Sequence, residues 1–174
     1  MEKLIITGGK KLGGEISVHG SKNAVLPIMA SALLIKGETV LHNVPNLSDV
    51  EASANILRRL GARVERKAST LIIDASSVTG NTIPEEMMRE MRSSIIFLGS
   101  LLSRCGEAWL CPPGGCDIGI RPIDLHISSL KKLGAQITEN GNCICCRALK
   151  LRGAKVFLSF PSVGATENLS LIHI

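Results

Sequence analysis

Aromatic residues are almost absent from this 174-residue chain, which contains three Phe, one Trp and no Tyr. Proteins that bind single-stranded nucleic acid stack the bases on aromatic rings placed among basic residues. The excess of 20 Lys and Arg over 15 Asp and Glu therefore indicates a small anionic ligand and no nucleic-acid partner. Hydrophobic residues make up 45% of the chain and charged residues 20%, which excludes a disordered tail, a collagen and a coiled coil.

The chain also lacks an apolar run long enough to cross a bilayer, which requires about 20 residues. The longest apolar stretch, residues 24–35, is interrupted by Pro27 and Ser31, and it is predicted to be a buried core helix. The N-terminus has too short an apolar run for a secretory signal peptide. Six cysteines without such a signal indicate free thiols in a reducing compartment. We therefore expect a cytoplasmic protein with no membrane partner.

Strand-like and helical segments alternate in the same order twice along the chain. The pattern predicts a first unit with a strand at 15–19, a helix at 22–35, a strand at 39–43, a helix at 47–60 and strands at 63–65 and 70–74. It predicts a second unit with a helix at 88–102, a strand at 107–111, a helix at 122–133 and strands at 136–138 and 143–145. A third unit begins with a strand at 155–159 and ends early, within a predicted helix.

Two pairs of similar pentapeptides define this internal repeat. Residues 37–41 (GETVL) correspond to residues 106–110 (GEAWL), 69 positions later, and residues 60–64 (LGARV) correspond to 133–137 (LGAQI), 73 positions later. The second unit therefore has four additional residues between these anchors. That interval contains a Gly-rich insertion at 112–121, which indicates a functional loop.

Cys116 lies in the middle of the insertion, and Arg121 follows five residues later. Two prolines stiffen the entry to the loop, and two glycines allow backbone conformations that other residues avoid. A nearby cation favours the thiolate of a cysteine, whereas burial favours the neutral thiol. Cys116 is therefore a candidate nucleophile or proton donor. The alternative is a small buried hydrophobic residue, which is the role of most free cysteines.

Three basic residues are candidates for an anion site. Lys22 opens the first predicted helix, and Arg92 lies in the predicted helix of the second unit. Helix N-termini attract anions, and Arg binds phosphate or carboxylate with two parallel hydrogen bonds. Lys22, Arg92 and Arg121 converge if the two units pack about a common axis. The alternative for each residue alone is an ordinary solvated surface cation.

No metal-binding motif is recognisable in the sequence. The cysteines at 143–146 form C-x-C-C, which lacks the paired C-x-x-C spacing of a zinc site. Alternation along a strand places Cys143 and Cys145 on one face, which favours a core position. The four His residues are scattered without the spacing of metal ligands. We therefore expect no metal site.

Five short motifs occur in the order found in the UDP-N-acetylglucosamine enolpyruvyl transferases (1-carboxyvinyltransferases), and the chain resembles this family from residue 1 to about residue 168. The motifs are Gly20-Ser-Lys-Asn-Ala24, Met91-Arg-Ser-Ser94, residues 113–122 (PGGCDIGIRP), Asp124-Leu-His126 and residues 161–166 (PSVGAT). The resemblance implies an α/β (α+β) fold, the inside-out α/β barrel of two domains built from βαβαββ repeats. Residues 1–20 would join a second domain that lies outside this chain. Residues 21–168 would form two full units and the start of a third of the first domain.

The resemblance also implies a reaction, in which phosphoenolpyruvate gives its enolpyruvyl group to the 3-hydroxyl of UDP-N-acetylglucosamine and phosphate is released. This is the first committed step of peptidoglycan synthesis. Cys116 would be the general acid for the enolpyruvyl methylene and the thiol that forms a covalent adduct with it. The antibiotic fosfomycin would alkylate the same thiol. Lys22, Asn23 and Arg121 would bind phosphoenolpyruvate. The site for UDP-N-acetylglucosamine would comprise Asn23, Arg92, Arg121, Pro122, Ile123, Asp124, Leu125, Ser162, Val163 and Gly164.

The same resemblance implies no cofactor, and it implies that the general base and a further Arg lie in the second domain. The 174 residues alone are therefore expected to be inactive, and the sequence does not indicate an oligomeric state. One alternative is the shikimate-pathway enolpyruvyl transferase, which shares the fold but lacks the cysteine loop. Another is a non-catalytic binding homologue. The presence of Cys116 argues against the first alternative, and the complete set of site residues argues against the second.

The last six residues, Leu169 to Ile174, are predicted not to belong to the native gene, because the resemblance ends at Asn168. In one reading frame the sequence CTG TCT CTT ATA CAC ATC, a transposon end common in sequencing libraries, encodes these residues. Amplifying the locus across the Asn168 codon and sequencing it with an unrelated library chemistry should reveal a different continuation. A stop codon directly after Ile174 in that read would contradict the prediction.

Overall fold

The computed structural model describes residues 3–113 and 122–172. Helices and strands alternate through this part of the chain. Their order is α1 (Lys22–Ser31), a first 3-10 helix (Ala32–Leu34), β1 (Glu38–Leu41), α2 (Ser48–Arg59), β2 (Arg63–Lys67), β3 (Thr70–Asp74), α3 (Glu85–Glu90), a second 3-10 helix (Arg92–Ile96), α4 (Phe97–Cys105), β4 (Glu107–Leu110), α5 (Asp124–Lys132), β5 (Gln136–Asn140), β6 (Cys143–Arg147) and α6 (Val163–Ser170).

The strands form two antiparallel sheets with the same internal order, β1-β3-β2 and β4-β6-β5. In the first sheet Ile73 of the central strand lies opposite Thr39 in β1 and Val64 in β2. Cys146 occupies the equivalent central position in the second sheet. β4 begins 69 residues after β1, and β5 begins 73 residues after β2, which are the offsets between the sequence anchors. The two units are therefore structural repeats of each other.

Helix α4 lies in the hydrophobic core, where it packs against α1, α6 and β4. Phe97, Leu98 and Leu101 on this helix have no exposed surface. A helix with neighbours on several sides is apolar around most of its circumference, as this segment is. The buried core helix predicted within residues 24–35 is confirmed by α1, which buries Met29 completely. Among the described residues, no helix combines the length and apolar character that a membrane span requires.

The continuous helix predicted over residues 88–102 is wrong, because the chain breaks at Met91. This residue has an extended backbone, with φ −141° and ψ 124°, between α3 and the second 3-10 helix. Its buried sulfur accepts a hydrogen bond from Ser53 Oγ at 3.7 Å, and Ser94 Oγ donates to the Met88 carbonyl at 3.0 Å. These side-chain bonds stabilise the break. The first of them depends on a partner in α2, which the periodicity of one segment does not reveal.

The strands predicted at 15–19 and 155–159 are absent from the structure. In the second unit the leading segment pairs with β4, since Thr82 bridges Trp109 in parallel orientation and the Ile83 N–H donates to the Trp109 carbonyl at 2.9 Å. A strand exists only where a neighbour completes its backbone hydrogen bonds. Residues 15–19 and 155–159 have no such neighbour in the described part of the chain.

The prediction of free thiols is wrong for Cys111 and Cys143, because a disulfide joins these two residues in the structure. They lie opposite each other where the β4–β6 pair continues beyond Leu110 and Ile144. Their Cα atoms are 3.9 Å apart. The register of the sheet brings the two residues together, although they are 32 positions apart in the sequence.

The core position predicted for Cys143 and Cys145 holds only for Cys145, which is buried, because Cys143 is half-buried. Cys146, on the other face of the strand, is also buried and belongs to the hydrophobic core. Cys145 and Cys146 are free thiols. Burial raises the pKa of Cys146 to about 12, so this thiol is neutral at physiological pH. Burial also raises the pKa of Cys145, and its hydrogen bond to Glu107 acts in the same direction. Neither group therefore has the thiolate character of a nucleophile or a metal ligand.

Gly99→Ala is expected to destabilise the fold, although Ala ordinarily favours a helix over Gly. A Cβ atom at Gly99 would overlap the Asn168 carbonyl oxygen and would lie 2.9 Å from Asn168 Oδ1. We expect a loss of about 1–3 kcal/mol in the free energy of unfolding, measured by urea denaturation of the full-length protein. Gly37→Ala is the matched control, because its Cβ atom would meet no atom within 4 Å. An equal loss in both variants would contradict the prediction.

Candidate functional site

Every described residue that is predicted to bind substrate lies at the start of a helix. Lys22 and Asn23 are the first two residues of α1, and Arg92 is the first residue of the second 3-10 helix. Residues 122–125 span the start of α5, and residues 162–164 span the start of α6. The first N–H groups of a helix have no partner within it, and the helix dipole is positive there. These helix ends are therefore suited to an anionic ligand.

The start of α1 is positioned by the two residues before it. A Cβ atom at Gly20 would overlap the carbonyl oxygen of Asn43, so only glycine permits this close approach. Ser21 follows with an extended backbone, and its carbonyl accepts the N–H groups of Ala24 at 3.3 Å and Val25 at 3.0 Å. Ser21 is the N-cap residue as predicted, but its side chain makes no capping hydrogen bond.

Lys22 forms an ion pair with Asp49, the second residue of α2. The side chains are 50% and 24% exposed, so the pair contributes about 0–1 kcal/mol to stability. An anionic ligand can therefore replace the carboxylate at small energetic cost. Sequence analysis missed Asp49, because only the packing of α1 against α2 brings it to Lys22.

Arg92 gains its position from the break at Met91. The second 3-10 helix starts there, and the Arg92 side chain is exposed, whereas Ile95 and Ile96 behind it are buried. This short helix contacts both α1 and α6. The element that carries Arg92 thus lies between the elements that carry Lys22 and Ser162.

The starts of α5 and α6 are adjacent, and a buried hydrogen bond joins the two helices. Asn168 Nδ2 donates to His126 Nδ1 at 2.7 Å. A Cβ atom at Gly164 would lie 3.3 Å from His126 Cε1. Burial lowers the pKa of His126, and the nearby Asp124 carboxylate opposes this effect. His126 is therefore neutral, and its Nδ1 accepts the hydrogen bond.

Ser162 is the N-cap of α6. Its Oγ accepts the Ala165 N–H at 3.2 Å, and its carbonyl accepts Thr166 Oγ1 at 2.8 Å. The hydroxyl of Ser162 is therefore used as the capping acceptor of α6. A ligand at this end would meet the N–H groups of Val163 and Gly164, which lie in the first turn.

Two of the clefts on the surface of the described residues differ in their relation to the predicted site. The smaller, of about 450 Å³, lies beside the start of α5 and is lined by Pro122, Ile123, Asp124 and Lys131 among others. The larger, of about 660 Å³, is lined by residues that include Glu107 and contains no predicted site residue. The cleft at α5 is the one consistent with the sequence prediction.

Cys116 and Arg121 lie outside the described residues, and their roles stay predictions. His126 belongs to the recognised motif at 124–126, and Asn168 follows the motif at 161–166 by two residues, but their mutual contact was not predicted. No three His, Cys, Asp or Glu side chains within residues 3–113 and 122–172 are grouped as ligands for a metal ion.

The family profile described as EPSP synthase (3-phosphoshikimate 1-carboxyvinyltransferase) matches residues 6–173. UDP-N-acetylglucosamine 1-carboxyvinyltransferase 2 of Caldanaerobacter subterraneus subsp. tengcongensis is 47% identical over 171 residues, which cover 98% of this chain and 41% of that protein. UDP-N-acetylglucosamine 1-carboxyvinyltransferase of Chloroherpeton thalassium is 52% identical over 171 residues, covering 97% and 40%. The chain therefore spans about two-fifths of the length of these curated relatives.

Solved structures show the same fold. The enolpyruvyl transferase NikO from Streptomyces tendae superposes with a TM-score of 0.70 at 21% identity, covering 83% of this chain and 32% of NikO. EPSP synthase from Acinetobacter baumannii superposes with a TM-score of 0.71 at 19% identity, covering 91% and 38%. The predicted α/β enolpyruvyl-transferase fold is confirmed.

Acidification is expected to destabilise the fold through His126. Because its folded pKa is lowered from 6.5, the unfolded state binds a proton first as the pH falls below that value. The free energy of unfolding should fall by at most about 1.4 kcal/mol per pH unit from this group, until the folded pKa is reached. Urea denaturation of wild type and His126→Asn on both sides of pH 6.5 measures the effect. An identical pH dependence in the two proteins would contradict it.

Proposed function

Because the chain belongs to the EPSP synthase (3-phosphoshikimate 1-carboxyvinyltransferase) family, we propose that the full-length protein is an enolpyruvyl transferase that acts on UDP-N-acetylglucosamine. It transfers the enolpyruvyl group of phosphoenolpyruvate to the 3-hydroxyl of the sugar and releases phosphate. The observation that carries this proposal is the identity of 47–52% to curated proteins of that name, over nearly the whole chain. The positions of the described site residues at helix starts support an anionic substrate.

The substrates divide between two parts of the proposed site. Lys22 and Asn23 at the start of α1, with Arg121, bind phosphoenolpyruvate, a compact anion whose hydration must be replaced by several cations. Asn23, Arg92 and Arg121 contact the sugar nucleotide. The diphosphate and uridine lie along the starts of α5 and α6, at Pro122, Ile123, Asp124, Leu125, Ser162, Val163 and Gly164. Helix N-termini are suited to diphosphate for the reasons already given.

Cys116 supplies the proton that starts the reaction. The sugar 3-hydroxyl adds to C2 of phosphoenolpyruvate while the Cys116 thiol protonates the C3 methylene, and a base outside this chain takes the hydroxyl proton. The product is a tetrahedral ketal. Loss of phosphate with a proton from the new methyl group then restores the double bond. The residues of this chain bind, orient and protonate, and the reaction needs no metal or cofactor.

The family also contains enzymes that use a shikimate acceptor, so the acceptor must be tested directly. Phosphate release by the full-length protein should require both phosphoenolpyruvate and UDP-N-acetylglucosamine. Release with shikimate 3-phosphate in place of the sugar nucleotide would contradict the proposed acceptor. No release with either acceptor would favour the non-catalytic homologue.

The proposed reaction assigns the protein to peptidoglycan synthesis and therefore to cell-wall growth and division. The activated sugar and phosphoenolpyruvate are cytoplasmic metabolites, so we propose a cytoplasmic location with small molecules as the partners. The Cys111–Cys143 disulfide is the observation opposed to this location, because disulfides persist mainly in oxidising compartments. Residues 21–168 are proposed as part of the first domain, and residues 1–20 as a segment that joins the second.

Cys116→Ser in the full-length protein is expected to lower kcat at least about 100-fold, because a hydroxyl is a much weaker acid than a thiol. The variant should also lose covalent labelling by fosfomycin, followed by mass spectrometry of the intact protein. Cys116→Asp should retain part of the turnover, since a carboxylic acid donates a proton, but it should form no adduct. Cys105→Ser removes an exposed free thiol and is the matched control. Full labelling of Cys116→Ser would show that another thiol is the target.

A further inference from the structure

The carboxamide of Asn168 lies where the elements of the proposed sugar-nucleotide site meet. Its Oδ1 accepts the Gly99 N–H at 2.7 Å. Its Nδ2 donates to the Ile95 carbonyl at 3.0 Å and to His126 Nδ1 at 2.7 Å. Both amide hydrogens and the oxygen of this one side chain are therefore used.

Each hydrogen bond leads to a proposed ligand-binding segment or to the core. Ile95 belongs to the same 3-10 helix as Arg92. His126 directly follows Leu125 in the first turn of α5. Asn168 itself lies one helical turn after Gly164 in α6. Gly99 belongs to the buried helix α4, so its hydrogen bond ties Asn168 to the hydrophobic core.

We propose that Asn168, with His126 as its partner, is a positioning residue that aligns the three segments of the sugar-nucleotide site. The inference rests on the proposed function. Asn168 is 1% exposed and His126 is 8% exposed, so water does not replace a lost partner. An unpaired buried polar group is costly, which restricts the carboxamide to one orientation. The starts of α5, α6 and the second 3-10 helix are thereby held in a single arrangement.

The alignment matters because the proposed ligand contacts at α5 and α6 involve backbone N–H groups, whose positions depend on the placement of the helices. A displacement of one helix start by about 1 Å can cost a hundredfold in activity. The position of Arg92 depends on the same Asn168 side chain, because the hydrogen bond to the Ile95 carbonyl anchors its short helix. Lys22 has no direct hydrogen bond to Asn168 or His126 and is held by Asp49. Asn168 should therefore affect the sugar nucleotide more than phosphoenolpyruvate.

Steady-state kinetics of the full-length protein test this selectivity. Asn168→Ala is expected to raise the KM for UDP-N-acetylglucosamine about tenfold or more, since three buried bonds are lost. The KM for phosphoenolpyruvate, measured at saturating sugar nucleotide, should change less than about twofold. Isothermal titration with UDP-N-acetylglucosamine alone should show the same loss of affinity.

Substitutions of His126 keep the test decisive if Asn168→Ala does not fold. His126→Leu retains apolar volume but removes the acceptor for Asn168 Nδ2, and it should raise the same KM. His126→Asn places an amide oxygen near the former Nδ1 and should restore a value close to wild type. Equal KM values in wild type and His126→Leu would overturn the proposal.

Ile73→Ala is the matched control for a purely structural effect. Ile73 is completely buried in β3, in the first sheet, and its truncation should lower the melting temperature without raising the KM for the sugar nucleotide. A rise in KM equal to that of Asn168→Ala would overturn the positioning role. If the wild-type protein binds no UDP-N-acetylglucosamine, the proposed function itself fails. If the wild-type protein binds it and the Asn168 and His126 variants bind it equally well, only the positioning role fails.

Discussion

The buried carboxamide of Asn168 is the polar contact on which the geometry of the candidate site depends. It lies within an apolar core, where an unpaired hydrogen-bonding group costs more free energy than a paired one contributes. Its partners on α4, α5 and the second 3-10 helix are therefore obligatory. Apolar packing alone tolerates small shifts between helices, whereas three hydrogen bonds to one planar group define the distances and orientations together.

The electrostatics of the site follow from this arrangement. Four segments with predicted ligand residues begin helices, so their free N–H groups and helix dipoles favour anions. The cations among them are exposed, and the only described ion pair that engages one of them joins Lys22 to Asp49 near the surface. Such a pair is weak enough to exchange its carboxylate for a substrate phosphate. The modest positive charge of the chain is thus consistent with binding at particular helix ends.

Local patterns predicted the repeat well and its exceptions poorly. The pentapeptide anchors at 37–41 and 106–110 gave the correct offset between β1 and β4, because equal strands and turns require equal sequence spacing. The break at Met91 was missed because one of the hydrogen bonds that stabilise it comes from Ser53, 38 residues away. The strand expected at 15–19 was wrong because alternation describes which residues could pair, while the pairing itself needs a neighbouring strand.

The sequence alone determined the fold class, the two repeats and the family to which the motifs belong, because these depend on residue types and spacing. Tertiary structure decided that Asp49 meets Lys22, that Cys111 meets Cys143, and that His126 and Asn168 join α5 to α6. Each of these pairs is separated by at least 27 residues, and no helix or strand contains both members of a pair. Which of many polar residues meet in a core depends on how the helices and sheets pack together, since packing brings together side chains that local periodicity cannot relate.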